Sequence, residues 1–502
     1  LDTALNLSVD GDLIYVPQNS TIVLESRKTI SASIKLYGQN QASSVISTVS
    51  DFGSVSSATT TTLVDSTKSW TTNEWANGYA AFSFAGATLQ ARLIVSNTAD
   101  TLTYGGAASA ATANLGYSIR KVLDSNPVTA ATTTVVTDST KNWTANRWAG
   151  CYVLIGTQLR QIASSTATTF TVSAAFSPAP TVGATYSIFF DVPANSGAII
   201  IPGTKSGNAL NNDIEINTLT ISSPSNAVDH ACIVASTLST TYNNGSTGLR
   251  FQNLTLNHTE FGITVAADSW VVKGCTFNYI PTSGAGDTSR HLGIYNISTM
   301  GWVEDCSFPA TTEATPRIIA MLLTASDYDF TPGATKSGGY SGDFVVKGCS
   351  QLSGNLRQWL VVEVFKANGL NSAPMAEHDF SMWLSNNTHG ITSGGSHNLY
   401  EGSGTKAPLN FFDVIYTSGN SAEESTSTDK GFIAVDGLGA LRSAGAPNHL
   451  YVAAANSGTA FTAPLGGAYV QGSTTTGLVA VNSTYFNSPG PNSLVAVEQV
   501  NP

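Results

Sequence analysis

Val272-Lys273-Gly274-Cys275-Thr276-Phe277 is the stretch on which the reading of this chain turns. Apolar residues alternate on both sides of a glycine, and the two-residue period of a strand puts such residues on one face. Glycine accepts a left-handed backbone at no steric cost, so the third position reads as a one-residue corner between two short strands. Four other stretches share the form apolar-x-(Asn/Gly/Asp/Thr)-apolar-x-apolar. They are Ile216-Asn217-Thr218-Leu219-Thr220-Ile221, Phe251-Gln252-Asn253-Leu254-Thr255-Leu256, Val303-Glu304-Asp305-Cys306-Ser307-Phe308 and Val346-Lys347-Gly348-Cys349-Ser350-Gln351, the last imperfect at its final position. Helical spacing does not fit them.

The copies recur every 21 to 43 residues. A strand, a corner and a strand at varying intervals describe stacked coils with loops of different length. Short strands flank the copies at Gly262-Ile263-Thr264-Val265 and Gly293-Ile294-Tyr295. The fold expected is therefore all-β, a parallel solenoid. Gly11-Asp12-Leu13-Ile14-Tyr15-Val16-Pro17 and Ser33-Ile34-Lys35-Leu36-Tyr37-Gly38 are similar to the opening coils of pectate-lyase-like proteins. That resemblance is diffuse, covers some 300 residues without a specific motif, and implies a right-handed parallel β-helix. Some 10 to 12 coils would make a rod on the order of 50–60 Å long.

A second repeat interrupts the first. Asp65-Ser66-Thr67-Lys68-Ser69-Trp70 returns as Asp138-Ser139-Thr140-Lys141-Asn142-Trp143, and Trp75 and Tyr79 return as Trp148 and Tyr152 at the same offset of 73. After a deletion of five residues, Arg92 matches Arg160, and Tyr117-Ser118-Ile119 closes the unit against Tyr186-Ser187-Ile188. Two small β-modules are expected in tandem, at 58–122 and 131–190. They would lie between first coils at 1–57 and a main β-helix at 191–400, with terminal coils, a cap or an oligomerisation region at 401–502. Trp70, Trp75, Trp143 and Trp148 are expected to anchor the module cores, because each aromatic buries a large apolar area. The module resembles one found in virion proteins of tailed phages. The resemblance covers about a quarter of the chain and implies a phage setting but no chemistry.

Composition bounds the function. Only 11% of the 502 residues are charged and the net charge is −11, which argues against a nucleic-acid partner, since that needs a concentrated positive surface. No apolar run reaches the roughly 18 residues of a membrane span. The five cysteines are scattered and form no CxxC pair, so neither a disulfide framework nor a zinc site is indicated. No cofactor motif is present, and no metal is expected. Cys275, Cys306 and Cys349 share one inward position of the repeat and read as a column of small buried hydrophobes.

The residues that could carry chemistry are carboxylates near the longest loops. Asp327, Asp329, Glu377 and Asp379 lie there, with Glu363 in an apolar strand between them. Glycoside hydrolysis needs two carboxyls at a fixed separation, but no spacing here singles out a pair, and Glu363 could equally be held by Arg357 or Lys366. Trp302, Trp359, Trp383 and Tyr328 could stack on sugars, although most aromatics of a β-helix pack inside. The function expected is structural: a virion surface protein of the head-spike, decoration or tail-spike type. It would be homotrimeric, bound to other virion proteins, and able to adhere to bacterial surface polysaccharide. A polysaccharide depolymerase and a cellular surface adhesin are the alternatives.

Overall fold

The computed structural model describes residues 1–82, 90–106, 109–111, 113–192, 196–202, 212–225, 230–235, 247–280, 290–309, 317–324, 341–354, 358–365, 379–391, 414–423, 433–436, 450–454, 457, 468–471 and 495–498. Apart from one short helix, Asp2–Leu7, the described elements are strands. The chain visits three parallel ribbons in a repeating order. Leu249–Gln252 lies in the first, Thr255–His258 in the second, and the start of Phe261–Lys273 in the third. That last strand passes through register shifts near Val265 and Ala267 and re-enters the first ribbon one rung further on.

The first ribbon runs from Leu13–Val16 to Leu450–Ala454, the second from Ser20–Val23 to Ser421–Glu423 and the third from Lys28–Thr29 to Gln358–Phe365. In the first ribbon, Leu36, Ile216, Phe251, Val272, Val303, Val346 and Leu384 occupy successive rungs of one column. In the second, Ile46, Ile221, Leu256, Phe277 and Phe308 mark the equivalent inward column. All of these side chains are buried, and Phe277 and Phe308 stack at 5.1 Å. Alternation in the sequence thus becomes a continuous dry interior, because parallel in-register pairing sets every inward residue above its counterpart.

The corner between the first and second ribbons has a positive φ on every described rung from Thr218 onward: Thr218 58°, Asn253 50°, Gly274 63°, Asp305 53°, Gly348 65°, Asn386 54° and Gly419 65°. Each is the left-handed conformation that turns the chain within one residue.

Between Ser44–Ser47 and Ser196–Ile201 the chain leaves the ribbons and builds two seven-stranded antiparallel sheets, spanning Asp51–Arg120 and Asp124–Phe189. The ribbons then resume where they stopped, Ile46 pairing directly with Ile221. The two modules have the same strand order and the same bulge, between Ile94 and Ser96 in one and Ile162 and Ser164 in the other. Their attachment differs. The second module's core, with Trp148, Phe170 and Ile188, is continuous with the core of the ribbons. The first has a core of its own around Trp70, Phe82 and Tyr117, with Trp75 packed at its margin.

Candidate functional site

The outward face of the first ribbon carries the site residues that can be described. Val271, Trp302, Val345, Trp383 and Tyr416 occupy one column on successive rungs, so the two tryptophans stand two rungs apart. Trp302 is half-buried and Trp383 is 40% exposed. The Trp302 indole N–H has no hydrogen-bond partner among the described residues.

Beside them runs a second outward column, Lys273, Glu304 and Lys347. The Glu304 carboxylate accepts a bond from Lys273 Nζ at 2.8 Å and faces Lys347 Nζ at 3.5 Å. The Lys273 hydrogen bond, reinforced by both ammonium charges, holds the Glu304 carboxyl below its ordinary range and raises Lys273 in turn. A carboxylate gripped from both sides stays ionised and is a poor proton donor. This face therefore offers aromatic surface edged by a charge row of two lysines and one glutamate.

Glu363 lies within the strand Gln358–Phe365 of the third ribbon, on the rung of Leu322, and Trp359 is in the same strand. Asp379 opens the strand Asp379–Ser385 of the first ribbon, across from Ser341. These two carboxylates therefore sit on different ribbons. Asp327, Tyr328, Asp329 and Glu377 lie outside the described residues.

No family model matches the chain, and no curated protein does. Its structural neighbours are phage tailspikes. They include the tailspike protein gp49 from Pseudomonas phage LKA1 and the Pseudomonas phage phi297 tailspike gp61. Each is 11% identical, and each alignment covers 100% of this chain and 88% of that chain at a TM-score of 0.17. A likeness of that size carries no argument for fold or function.

Two features of the ribbons escaped the sequence reading. The first is a hydroxyl ladder on the outward face of the second ribbon, with Thr220, Thr255, Thr276, Ser307, Ser350, Thr388 and Ser421 on successive rungs. Next to it Asn278 Nδ2 donates to Asn257 Oδ1 at 3.0 Å, and Asn257 Nδ2 donates to Ser222 Oγ at 2.8 Å. The signal was present: the fifth position of all five hexapeptides is Thr or Ser. Such a surface is uncharged and rich in donors and acceptors.

The second lies inside, where the column of thiols expected from the repeat is continued by two asparagines. Cys275, Cys306 and Cys349 are each 1% exposed, and all five cysteines are free thiols. Burial pushes the Cys306 thiol well above its ordinary value. For Cys349 the main cause of the upward shift is its neighbour Cys306, followed by burial. The Cys306 and Cys349 thiols are poor nucleophiles as a result. On the next two rungs the same inward position is taken by Asn387 and Asn420, both fully buried. Asn387 Nδ2 donates to the Val346 carbonyl and to Asn420 Oδ1, both at 2.9 Å, while its Oδ1 accepts from the Cys349 amide at 3.0 Å.

Proposed function

We propose that the three ribbons close into a right-handed parallel β-helix and that the chain is a structural protein of a phage virion surface, of the tail-spike, head-spike or decoration type. The observation that carries this reading is the repeated passage through three parallel ribbons, interrupted by the two modules and followed through all three ribbons as far as Gln358–Phe365. The resemblance of the Asp-Ser-Thr-Lys-x-Trp modules to one in tailed-phage virion proteins suggests the setting. A ladder in which each coil is hydrogen-bonded to the coils on both sides opens reluctantly, which suits a protein exposed outside the cell.

In this reading the chain is a homotrimer, the modules provide contacts to other virion proteins or between subunits, and the outward columns meet bacterial surface polysaccharide. Trp302 and Trp383 supply stacking surface and the hydroxyl ladder supplies hydrogen bonds. The test is immunogold labelling of phage particles with antibody raised against the purified chain. Gold on projecting structures supports the proposal, and particles that carry none of the antigen overturn it. Adhesion is read separately, as binding of the fluorescently labelled chain to host cells and its competition by their purified polysaccharide.

A further inference from the structure

The two modules pair face to face through equivalent positions. In the first, Arg120, Tyr79 and Leu93 form one cross-strand row and Ser118, Ala81 and Ala91 the next. In the second, Phe189, Tyr152 and Gln161 form the matching row, followed by Ser187, Leu154 and Leu159. Tyr79 stacks on Phe189 at 5.5 Å, and Tyr79, Ala91, Leu154 and Phe189 bury one another between the sheets.

The apolar face of the first module extends beyond what the second one covers. Leu93 sits directly across the ladder from Tyr79, yet it is 36% exposed, and Val95 at the bulge is 50% exposed. Registers and bulges coincide in the two modules, so Leu93 corresponds to Gln161 and Val95 to Ala163. The second module folds to the same sheet with a polar and a small residue there. Folding alone therefore does not call for Leu93 and Val95.

We propose that Leu93 and Val95 form a contact between copies of this chain. The patch is continuous with an interface already formed inside the molecule, and what covers that interface is another module of the same kind. A second copy brings the type of surface that this face already accepts. The net charge of −11 on each copy opposes association, so a contact between copies calls for an uncharged apolar patch, which buries no like charges. The contact deepens the homotrimer reading and rests on it.

The test uses the full chain with Leu93→Gln and Val95→Ala together, a pair borrowed from the second module and so compatible with its fold. Sedimentation velocity across a concentration series should show the parent chain as an oligomer and the variant dissociating at concentrations at least about tenfold higher, as expected for one lost buried Leu side chain. The mirror variant, Gln161→Leu with Ala163→Val, should leave the parent's oligomeric state unchanged. In a second readout, Val95→Cys carries a dye at an exposed position while the five native thiols are buried, and energy transfer between copies is expected. A monomeric parent overturns both the contact and the homotrimer. An oligomer that survives the double substitution, or shows no transfer at position 95, overturns the contact alone and leaves the homotrimer standing.

Discussion

The carboxylate of Asp305 lies over Gly348 on the next rung, its Oδ1 2.4 Å from where a Cβ on that glycine would be. Asn253 stands over Gly274 in the same way at 2.7 Å, and Asn386 over Gly419 at 2.3 Å. From Asn253 onward the corner therefore alternates, a short polar side chain on one rung requiring a bare Cα on the next. Asp213 and Gly248 repeat the arrangement at another bend, at 2.4 Å. Gly348→Ala is expected to cost more than about 1 kcal/mol, the left-handed penalty alone, because the clash adds to it. Asp305→Gly in the same chain should recover part of the loss, leaving the penalty of a left-handed alanine. Denaturant unfolding of the two single variants and the double measures this coupling, and strict additivity would contradict it. Asn387→Ala strips the buried Cys349 amide of its partner, at about 1–3 kcal/mol for the group left unpaired. Thermal unfolding should show the drop.

At the scale of elements, the modules explain their own motif. Trp70 Nε1 donates to Asp51 Oδ2 at 2.6 Å and Lys68 Nζ to Asp51 Oδ1 at 2.7 Å. Trp143 and Lys141 hold Asp124 identically, at 2.7 and 2.6 Å. The first Asp of the motif has a different task. Asp138 accepts from the Thr140 amide and hydroxyl, from Asn126 and from Tyr186 OH. Burial works to raise its carboxyl, but these hydrogen bonds outweigh it and hold the group at about 2. The folded state thus prefers the carboxylate, a preference worth about 2 kcal/mol. That contribution is complete above the ordinary carboxylate range near pH 4 and is lost as pH falls toward 2. Acid titration followed by near-ultraviolet circular dichroism of Trp143 and Trp148 should show the second module loosening over that interval, and Asp138→Asn should flatten the transition. The motif was legible because both copies repeat it. Its partners Asp51 and Asp124 were not, since each stands 14 residues upstream of the motif's first Asp, across the sheet.

The whole molecule is tied together at Arg120. This side chain, 2% exposed, ends the first module and pairs at 2.9 Å with Asp191, which follows the second. Its Nη1 donates to the Thr48 and Phe190 carbonyls, and its Nη2 donates to the carbonyl of Pro224 in the resumed ribbons. One guanidinium thus joins the segments entering and leaving both modules. Arg120→Met should destabilise the chain by about 3–5 kcal/mol, because it leaves Asp191 buried and uncompensated, whereas adding Asp191→Leu should restore most of that. Urea unfolding midpoints decide the matter, and a single variant as stable as the parent would refute the clasp. The only sequence trace of this role is a mismatch: Arg120 stands where the second copy has Phe189.

Short-range order was written in the residues themselves: two-residue alternation, left-handed corner residues, and two copies of one module, all of which depend on neighbours a few positions apart. Which residues meet across rungs was decided only by tertiary structure. Loops of unequal length separate the rungs, so adjacency in space has no fixed interval in sequence. For that reason the rungs at Asn387 and Asn420, whose inward residue is polar, the hydroxyl ladder and the Arg120 clasp came into view only once the strands were paired.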